Sequence, residues 1–292
     1  MASHRGDGCT RARGITRPLG RGPIWGLGRM VRLGVAKIAA RRGTLHGLAA
    51  AATVALACAA SPANAEMQVG VYGGWNGSFD SDIHLIQPGG TNMTLNDVPW
   101  DGDSFAAPPY WGLRGTYWFN NAPNWGFMVD YHHAKVIADQ GAVVSVSGTR
   151  DGVRVGPKDR VGNTFETMEF TDGLNELFFG GQYRWIFARW TPYVGLGVGP
   201  AFPHVEVRRA PGPPNPRTFD YQFDGVTVEG LVGVEYHFGP RFSVFGDYKL
   251  SFATNDADLV GGGSLETDVW TNHVTFGVAY HFGGAPVPDA PY

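Results

Sequence analysis

Alternation with a period of two residues runs through the chain from Glu66 to Phe282 and restricts this region to β-structure. In the last such segment the large apolar residues fall on one face: Trp270, Val274, Phe276, Val278, Tyr280 and Phe282. The other face carries Thr271, His273, Thr275, Gly277 and His281. Eight segments are predicted as strands: 67–76, 110–120, 124–137, 169–186, 191–208, 218–238, 242–253 and 269–282.

The connections between these segments alternate between long and short. The long ones are 77–109, 138–168, 209–217 and 254–268, and the short ones are 120–123, 187–190 and 239–241. Transmembrane barrels have this asymmetry, with short periplasmic turns and long extracellular loops. The sequence therefore predicts an all-β fold, an eight-stranded antiparallel up-and-down transmembrane β-barrel with both ends periplasmic. A secreted β-sandwich is the alternative, since it alternates as well.

Aromatic residues cluster at the strand ends, as expected of girdles at the two bilayer interfaces. They are Trp111, Trp118, Trp125, Trp185, Trp190, Tyr193, Tyr236 and Phe238.

The first 65 residues resemble a secretory signal peptide. A basic stretch ends at Arg42, the apolar run 45–60 is too short to cross a bilayer as a helix, and Ala63-Asn64-Ala65 provides a cleavage site. Met30 is a possible true start. The expected organisation is a signal peptide at 1–65, a barrel at 66–282 and a Pro-rich periplasmic tail at 283–292.

Composition excludes several kinds of chemistry from the exported chain. Cys9 and Cys58 both lie in the leader, so no thiol remains for a disulfide, for thiolate catalysis or for metal binding. The leader also holds ten of the 23 basic residues but only Asp7 among the acids. The exported chain is therefore strongly acidic, and nucleic acid is not an expected partner.

An eight-stranded barrel is just wide enough for side chains to fill its interior, so a pore for large solutes is not expected. Strand parity places ten polar residues toward the lumen, where charges of both signs must pair. They are Arg114, Asp130, His132, Glu176, Arg184, Glu229, Glu235, Asp247, Lys249 and His273.

A filled barrel can act only at its mouth, where four polar segments are predicted: 132–135, 169–175, 203–207 and the loop 254–268. The loop does not fit an EF-hand, because Val260 and Thr267 occupy positions that need a polar ligand and a glutamate. No dinucleotide cradle and no His-x-Ser pair accompany these segments.

Six stretches together resemble the lipid A oxidase family of α-proteobacterial outer membranes, over nearly the whole exported chain. They are His133-Ala134-Lys135-Val136, Glu169-Phe170-Thr171-Asp172-Gly173-Leu174-Asn175, Thr191-Pro192-Tyr193-Val194-Gly195, Pro203-His204-Val205-Glu206-Val207, Asp247-Tyr248-Lys249 and 255–268. The resemblance implies an outer-membrane barrel in a Gram-negative bacterium. It also implies oxidation of the proximal glucosamine of 1-dephosphorylated lipid A to 2-aminogluconate by dioxygen. The chain departs from the family pattern in a longer second loop, 141–163, and in its tail.

Such an oxidation needs a base for the hydroxyl proton and an acceptor for two electrons. The predicted catalytic residues are His133, His204, Asp172, Glu206 and Glu266. Without a thiol or a nucleotide fold, a divalent metal held by His133, His204 and Glu206 is one possible electron relay. General base catalysis and plain hydrogen bonding are the other possible roles of these histidines.

Lipopolysaccharide phosphates at the membrane surface are the expected partners of the loops. Asp256, Asp258 and Asp268 are predicted to contact them through divalent cations, and basic residues to contact them directly. The basic residues are Arg150, Arg154, Lys158, Arg160, Arg208, Arg209 and Arg217. Solvated loop charge is the simpler interpretation. A monomer is expected, and the alternative function is a non-catalytic, porin-like structural or surface-interaction protein.

Overall fold

The computed structural model describes residues 66–210, 216–223 and 225–283, all within one compact unit, Ala60–Tyr292. The predicted signal peptide, the alternative start at Met30 and residues 284–292 of the predicted tail lie outside the described residues. No helix in the described ranges has the length and hydropathy needed to cross a membrane.

The described residues form sixteen strands and one short 3-10 turn, Val161–Asn163. The strands are β1 Glu66–Ser78, β2 Ser81–Gln87, β3 Thr91–Val98, β4 Trp100–Asp101, β5 Trp111–Phe119, β6 Ala122–Ala138, β7 Val143–Arg150, β8 Val153–Arg154, β9 Lys158–Arg160, β10 Phe165–Arg184, β11 Trp190–Ala201, β12 His204–Arg209, β13 Arg217–Tyr221, β14 Gly225–His237, β15 Phe242–Asp258 and β16 Ser264–Phe282.

Eight of these strands close into an antiparallel barrel in the order β1, β5, β6, β10, β11, β14, β15 and β16. Pairing of β1 with β16, from Met67 opposite Phe282 to Ser78 opposite Thr271, completes the ring. The predicted eight-stranded barrel is therefore confirmed. Closure leaves no strand edge with unpaired backbone groups in the wall. A protein in lipid requires this, because lipid offers no hydrogen-bond partners.

The long connections contain more structure than the sequence predicted. The predicted loops 77–109 and 138–168 hold strands β2–β4 and β7–β9, and the predicted loop 254–268 shrinks to the turn 259–263 because β15 and β16 continue past the wall. The predicted strand 191–208 is broken before His204, where Pro203 cannot donate a ladder hydrogen bond. Beyond the break, β12 pairs with β10 and with β13.

The two faces of the wall differ as the alternation predicted. On β16, Val274, Phe276 and Val278 are exposed, whereas His273 and Thr275 are fully buried. An exterior of exposed aliphatic and aromatic side chains is stable when lipid covers it. Two residues predicted to belong to the aromatic girdles, Trp118 and Tyr193, do not: they are buried on the inner face of the wall.

The lumen within the wall is filled by a polar network. All ten residues predicted to face the lumen are buried. Arg114 binds Asp247 at 2.6 Å and Asp130 at 2.8 Å, and Lys249 binds Asp130 at 2.6 Å. A cavity of about 10 Å³ between Gln68 and Arg114 has room for roughly one water molecule.

An apolar core fills the barrel at the end that carries the long connections; we call this region the cap. The cap core combines residues of β2, β3 and β7 with the outer parts of the wall strands. Its fully buried members include Ile83, Leu85, Leu95, Val136, Phe165, Met168, Phe170, Val205, Ala257 and Leu265. Buried apolar side chains therefore occupy this end of the barrel.

Candidate functional site

A polar cluster lies on the outer face of the wall, below the cap, where β5, β6 and β10 meet. Trp111, His133 and Asn175 are directly opposite one another on these three strands. Their neighbours His132 and Glu176 are buried in the lumen, so strand alternation directs His133 and Asn175 to the outer face. Both are nevertheless only 5% exposed.

A bulge in β10 explains how outward-facing residues become buried. The pairing of β10 with β6 shifts register between Phe170 and Leu174. Within the bulge Gly173 has a φ of +91°, and a Cβ at this position would lie 2.3 Å from Nδ1 of His133. Glycine is therefore needed both for the backbone conformation and for the close approach of the imidazole.

Asn175 ties the bulge to the histidine. Its Oδ1 accepts hydrogen bonds from the Tyr131 hydroxyl at 2.7 Å and from His133 Nδ1 at 3.1 Å. Its Nδ2 donates to the carbonyl oxygens of Asp172 at 3.0 Å and Gly173 at 3.1 Å. One amide side chain thus fixes the imidazole, the phenol and the bulged backbone relative to one another.

The bulge also carries Asp172 toward His204 on β12. The His204 Nδ1 lies 3.6 Å from Asp172 Oδ2, and the imidazole packs against the rings of Phe219 and Tyr221, with centroids 4.4 and 4.5 Å away. The His204 side chain is 5% exposed and that of Asp172 is 41% exposed. The carboxylate is therefore the member of this pair that a ligand can reach.

Exposed aromatic rings lie in the same region: Tyr221 is close enough to Asp172 to feel its charge, Trp111 stacks on His133, and Phe223 packs against Phe202. Trp111, Tyr221 and Phe223 are 44%, 58% and 71% exposed. Partial burial raises the pKa of the Tyr221 phenol, and the negative charge of Asp172 adds to the effect. Tyr221 therefore remains a hydroxyl donor at neutral pH. The arrangement offers one accessible acid, one phenol and apolar ring faces.

Glu206, on β12 two residues beyond His204, has partners of its own. Its carboxylate binds Arg217 at 2.5 Å and accepts a hydrogen bond from Thr171 at 2.5 Å, and the Arg217 guanidinium lies 4.0 Å from the Phe219 ring centroid. This ion pair attaches β13 to β12. Glu206 is therefore part of the scaffold around the site.

The predicted metal set of His133, His204 and Glu206 does not come together. Within the described ranges, ligand atoms of at least three His, Cys, Asp or Glu residues approach within 4.8 Å of one another in two groups, and neither contains these residues. His133 instead bonds to Asn175, and Glu206 to Arg217. The geometry does not fit a metal held by these three side chains.

Comparison with known proteins places the chain in a family. A family model described as the outer membrane protein beta-barrel domain matches residues 48–282, which is most of the chain. The chain belongs to the outer-membrane β-barrel family. Its membership agrees with the closed ring and the apolar exterior described above.

Several solved structures are similar to this outer-membrane barrel. Neisserial surface protein A is 12% identical with a TM-score of 0.35, and the match covers 75% of this chain and 97% of that one. OprG from Pseudomonas aeruginosa is 16% identical with a TM-score of 0.32, covering 75% and 96%. The outer membrane protease OmpT from Escherichia coli is 11% identical with a TM-score of 0.41, covering 76% and 98%. No curated protein sequence matches the chain.

Glu266 lies apart from the other predicted catalytic residues of this outer-membrane barrel. It is on β16, opposite Asp256 on β15 and His84 on β2. Around the ring, β1 and β5 separate β16 from β6, and β11, β14 and β15 separate it from β10. The structure therefore does not bring Glu266 to the cluster of His133, Asp172 and His204. Asp256, Asp258 and Asp268 lie on the same two strands as Glu266, not in a loop.

Most of the predicted phosphate-binding cations of the outer-membrane barrel are in ion pairs. Arg150 binds Asp159 at 2.7 Å, Arg209 binds Asp151 at 3.1 Å, and Arg208 lies 3.5 Å from Glu166. The hydrogen bonds from Arg209 lower the pKa of Asp151, which keeps this exposed pair charged. The exposed residues Arg154, Lys158 and Arg160 have no ion pair among the described contacts.

Sequence reasoning missed three members of the cluster, which are Tyr131, Asn175 and Tyr221. Tyr131 precedes His133 by two residues on one strand, so parity could have placed both on the same face. Asn175 stands in one of the stretches that carry the family resemblance. Tyr221 had no such signal, because it reaches the site through the pairing of β13 with β12.

Proposed function

We propose that this outer-membrane barrel oxidises the proximal glucosamine of 1-dephosphorylated lipid A to 2-aminogluconate, with dioxygen as the oxidant. In this proposal the cap faces the cell exterior and the short turns face the periplasm. One observation supports it together with the resemblance: the Asp172 carboxylate is 41% exposed beside His204 and belongs to the cluster of the outer face of the wall. A lipid headgroup would reach this position, whereas a lumenal site would not be accessible to it.

The exposed rings of this region suit an amphipathic ligand. Trp111 and Phe223 offer apolar faces to the sugar or to the upper acyl chain, and Tyr221 offers a hydroxyl donor. Tyrosine and tryptophan are favoured at membrane interfaces for this combination of an apolar body and a polar tip. The site therefore has the surface chemistry that a glucosamine attached to acyl chains requires.

The reaction needs a proton acceptor beside the anomeric centre. Asp172 takes the proton of the anomeric hydroxyl, and the C1–H bond breaks as two electrons pass from the sugar to dioxygen. The products are a lactone and hydrogen peroxide, and hydrolysis of the lactone with one water gives the acid. His204 lies beside the carboxylate, with its Nδ1 3.6 Å away, while His133 and Asn175 hold the bulge in place.

The contacts to lipid phosphates are part of the same proposal. Arg154, Lys158 and Arg160 are the cations best placed to bind phosphate directly. The acids on the opposite side of the ring would bind phosphates through divalent cations: Asp256, Asp258, Glu266 and Asp268. These contacts would orient lipopolysaccharide around a monomeric barrel.

Mass spectrometry of lipid A tests the proposal. The full chain is expressed in a Gram-negative host whose lipid A lacks the 1-phosphate, alongside the variants Asp172→Asn and His204→Gln. The wild type is expected to add one oxygen to the proximal unit. Loss of a positioned general base costs about 10²–10⁴ in rate, so Asp172→Asn should leave the lipid almost unmodified.

Asp220→Asn is the matched control, because Asp220 is an exposed acid on β13 next to Tyr221 but on the other face of the strand. It should modify lipid A like the wild type. Unmodified lipid with the wild-type barrel folded in the outer membrane would contradict the oxidase and favour the non-catalytic alternative. Full activity of Asp172→Asn would remove this site from the proposal.

A further inference from the structure

The centre of the lumen holds a group of metal-binding side chains that the proposed oxidase site does not use. His132 on β6, Glu176 on β10 and His273 on β16 have ligand atoms within 4.8 Å of one another, and all three residues are fully buried. His132 Nε2 lies 2.7 Å from Glu176 Oε2, and the two imidazole centroids are 4.5 Å apart. The group joins three wall strands at one level of the barrel.

The hydroxyl groups of Ser251 and Thr227 contact the Glu176 carboxylate, and Ser251 also contacts the His273 imidazole. The Ser251 hydroxyl lies 3.1 Å from both Glu176 Oε2 and His273 Nε2. Thr227 donates a hydrogen bond to the other carboxylate oxygen, Glu176 Oε1. Supporting hydrogen bonds of this kind orient metal ligands in proteins.

Buried polar atoms around the group lack hydrogen-bond partners among the described residues. They are Nδ1 of His132, Nδ1 of His273, Oε1 of Glu229 and the hydroxyl of Tyr110, whereas Oε2 of Glu229 lies 3.2 Å from Lys249 Nζ. Leaving such a group unpaired in a protein interior costs about 1–3 kcal/mol. The His132 Nδ1 is 3.8 Å from Glu229 Oε2, the position of a carboxylate that supports a ligating histidine.

Formal charge in this part of the lumen is also unbalanced. Two basic side chains, Arg114 and Lys249, are connected by ion pairs to Asp130, Asp247 and Glu229, and Glu229 is linked through His132 to Glu176. Four carboxylates thus accompany two cations. A dication among these groups would balance the formal charge of the ionised network.

We infer that the lumen binds one divalent first-row transition metal ion through His132, Glu176 and His273. Two imidazoles and one carboxylate suit zinc, iron or nickel better than magnesium or calcium. The ion joins β6, β10 and β16 across the lumen, and Glu229 supports it through His132. This inference is independent of the oxidase proposal, because the buried ion contributes to the stability of the barrel and has no access to a lipid headgroup.

In the second group of possible ligands, Glu235, His237 and His281 near the short-turn end, the carboxylate and His281 are hydrogen-bonded without a metal, whereas Nδ1 of His237 lacks a partner among the described residues. Both ring nitrogens of His281 lie 2.9 Å from carboxylate oxygens, one of Glu66 and one of Glu235. Arg184 also binds Glu66 at 2.5 Å. Glu235 also accepts hydrogen bonds from Gln68 and Ser243, so both acids have donors, and this group serves as the internal comparison.

Metal analysis of the full chain tests the inference. The barrel is extracted from outer membranes in detergent without chelators, and its metal content is measured by inductively coupled plasma mass spectrometry. The wild type should carry about one equivalent. His273→Gln and Glu176→Gln, which keep hydrogen-bonding capacity, should lower the content by about tenfold, and His237→Gln from the second group should not. Heat-dependent electrophoretic migration verifies that each variant is folded.

A second measurement applies if metal is lost during purification. The barrel is treated with chelator and then titrated with Zn²⁺ while its unfolding temperature is followed, which should rise for the wild type and stay constant for His273→Gln. A folded wild type with neither bound metal nor a response to Zn²⁺ would overturn the inference. Metal retained by His273→Gln and Glu176→Gln but lost by His237→Gln would do the same.

Discussion

At the scale of single residues, Gly173 determines the geometry of the candidate site. Its φ of +91° and the 2.3 Å approach that a Cβ would make to His133 leave no room for another side chain. Gly173→Ala should therefore cost about 1–3 kcal/mol in backbone strain and displace the imidazole. We expect a folded barrel with strongly reduced oxidation of lipid A, measured by mass spectrometry.

The control for this change is Gly115→Ala. Gly115 is also a strand glycine of the wall, but a Cβ there would meet nothing within 4 Å. It should leave lipid A oxidation unchanged. Equal activity of the two variants would show that the bulge does not position the site.

Arg114 is the residue on which the lumenal network depends most. It binds Asp130 and Asp247, and its side chain is 6% exposed. Arg114→Met should remove one ion-pair partner from Asp130, which keeps Lys249, and the guanidinium that binds Asp247, and breaking a buried pair costs about 3–5 kcal/mol. We expect the urea midpoint of unfolding, followed by electrophoretic migration, to fall clearly, while Arg154→Met, at an exposed position, should leave it unchanged.

At the scale of elements, the turn 259–263 anchors the β2–β3 hairpin to the wall. Gly263 has a φ of +93°, and a Cβ there would lie 2.0 Å from the carbonyl oxygen of Ile86. Gly263 directly precedes the stretch of β16 that pairs with β2, where Ser264 is opposite Ile86. The missing side chain thus permits β2 to dock.

Gly263→Val should detach this hairpin without opening the ring. We expect proteinase K to cleave residues 87–91 in intact cells more rapidly, with the fragments mapped by mass spectrometry. Gly77→Ala is the control, because a Cβ at Gly77 meets nothing within 4 Å. Unchanged protection of the hairpin in Gly263→Val would contradict this account of the turn.

At the scale of the whole molecule, the filled lumen predicts a barrel that does not conduct. The polar network occupies the wall region and the apolar cap core occupies the far end. The purified barrel should insert into planar lipid bilayers without discrete conductance steps, whereas a porin measured in the same bilayer should show them. Regular conductance steps after most insertions of the barrel into the bilayer would contradict this prediction, because they would mean that the lumen opens in a membrane.

The wall could be predicted from the sequence because its alternation is long and regular. The same pattern is present in the cap, where Ile83, Leu85, Met93 and Leu95 alternate with polar residues. These stretches span only seven or eight residues and lie between turns, so they resemble loop sequence until their pairing partners are known.

The candidate site was predictable only in part. The resemblance drew attention to His133, Asp172 and His204, but their proximity depends on a register shift at the bulge, which alternation cannot reveal. Glu266 was predicted to lie in the loop 254–268, whereas it lies on β16. The sequence could not show that β1 and β5 stand between the strand of Glu266 and the strand of His133. That separation follows from the order in which the strands close the ring.

The cap core has a consequence for how the interior meets its surroundings. Ile83, Phe165, Phe170 and their neighbours form a buried apolar core at one end, so this end offers no chain of polar groups from the lumen to the outside. Protons and small ions would then have to pass the buried polar groups of the short-turn side. Amide hydrogens midway along the wall should then exchange with solvent far more slowly than those at that rim, and the acidity or salinity beyond the cap has no direct path to them.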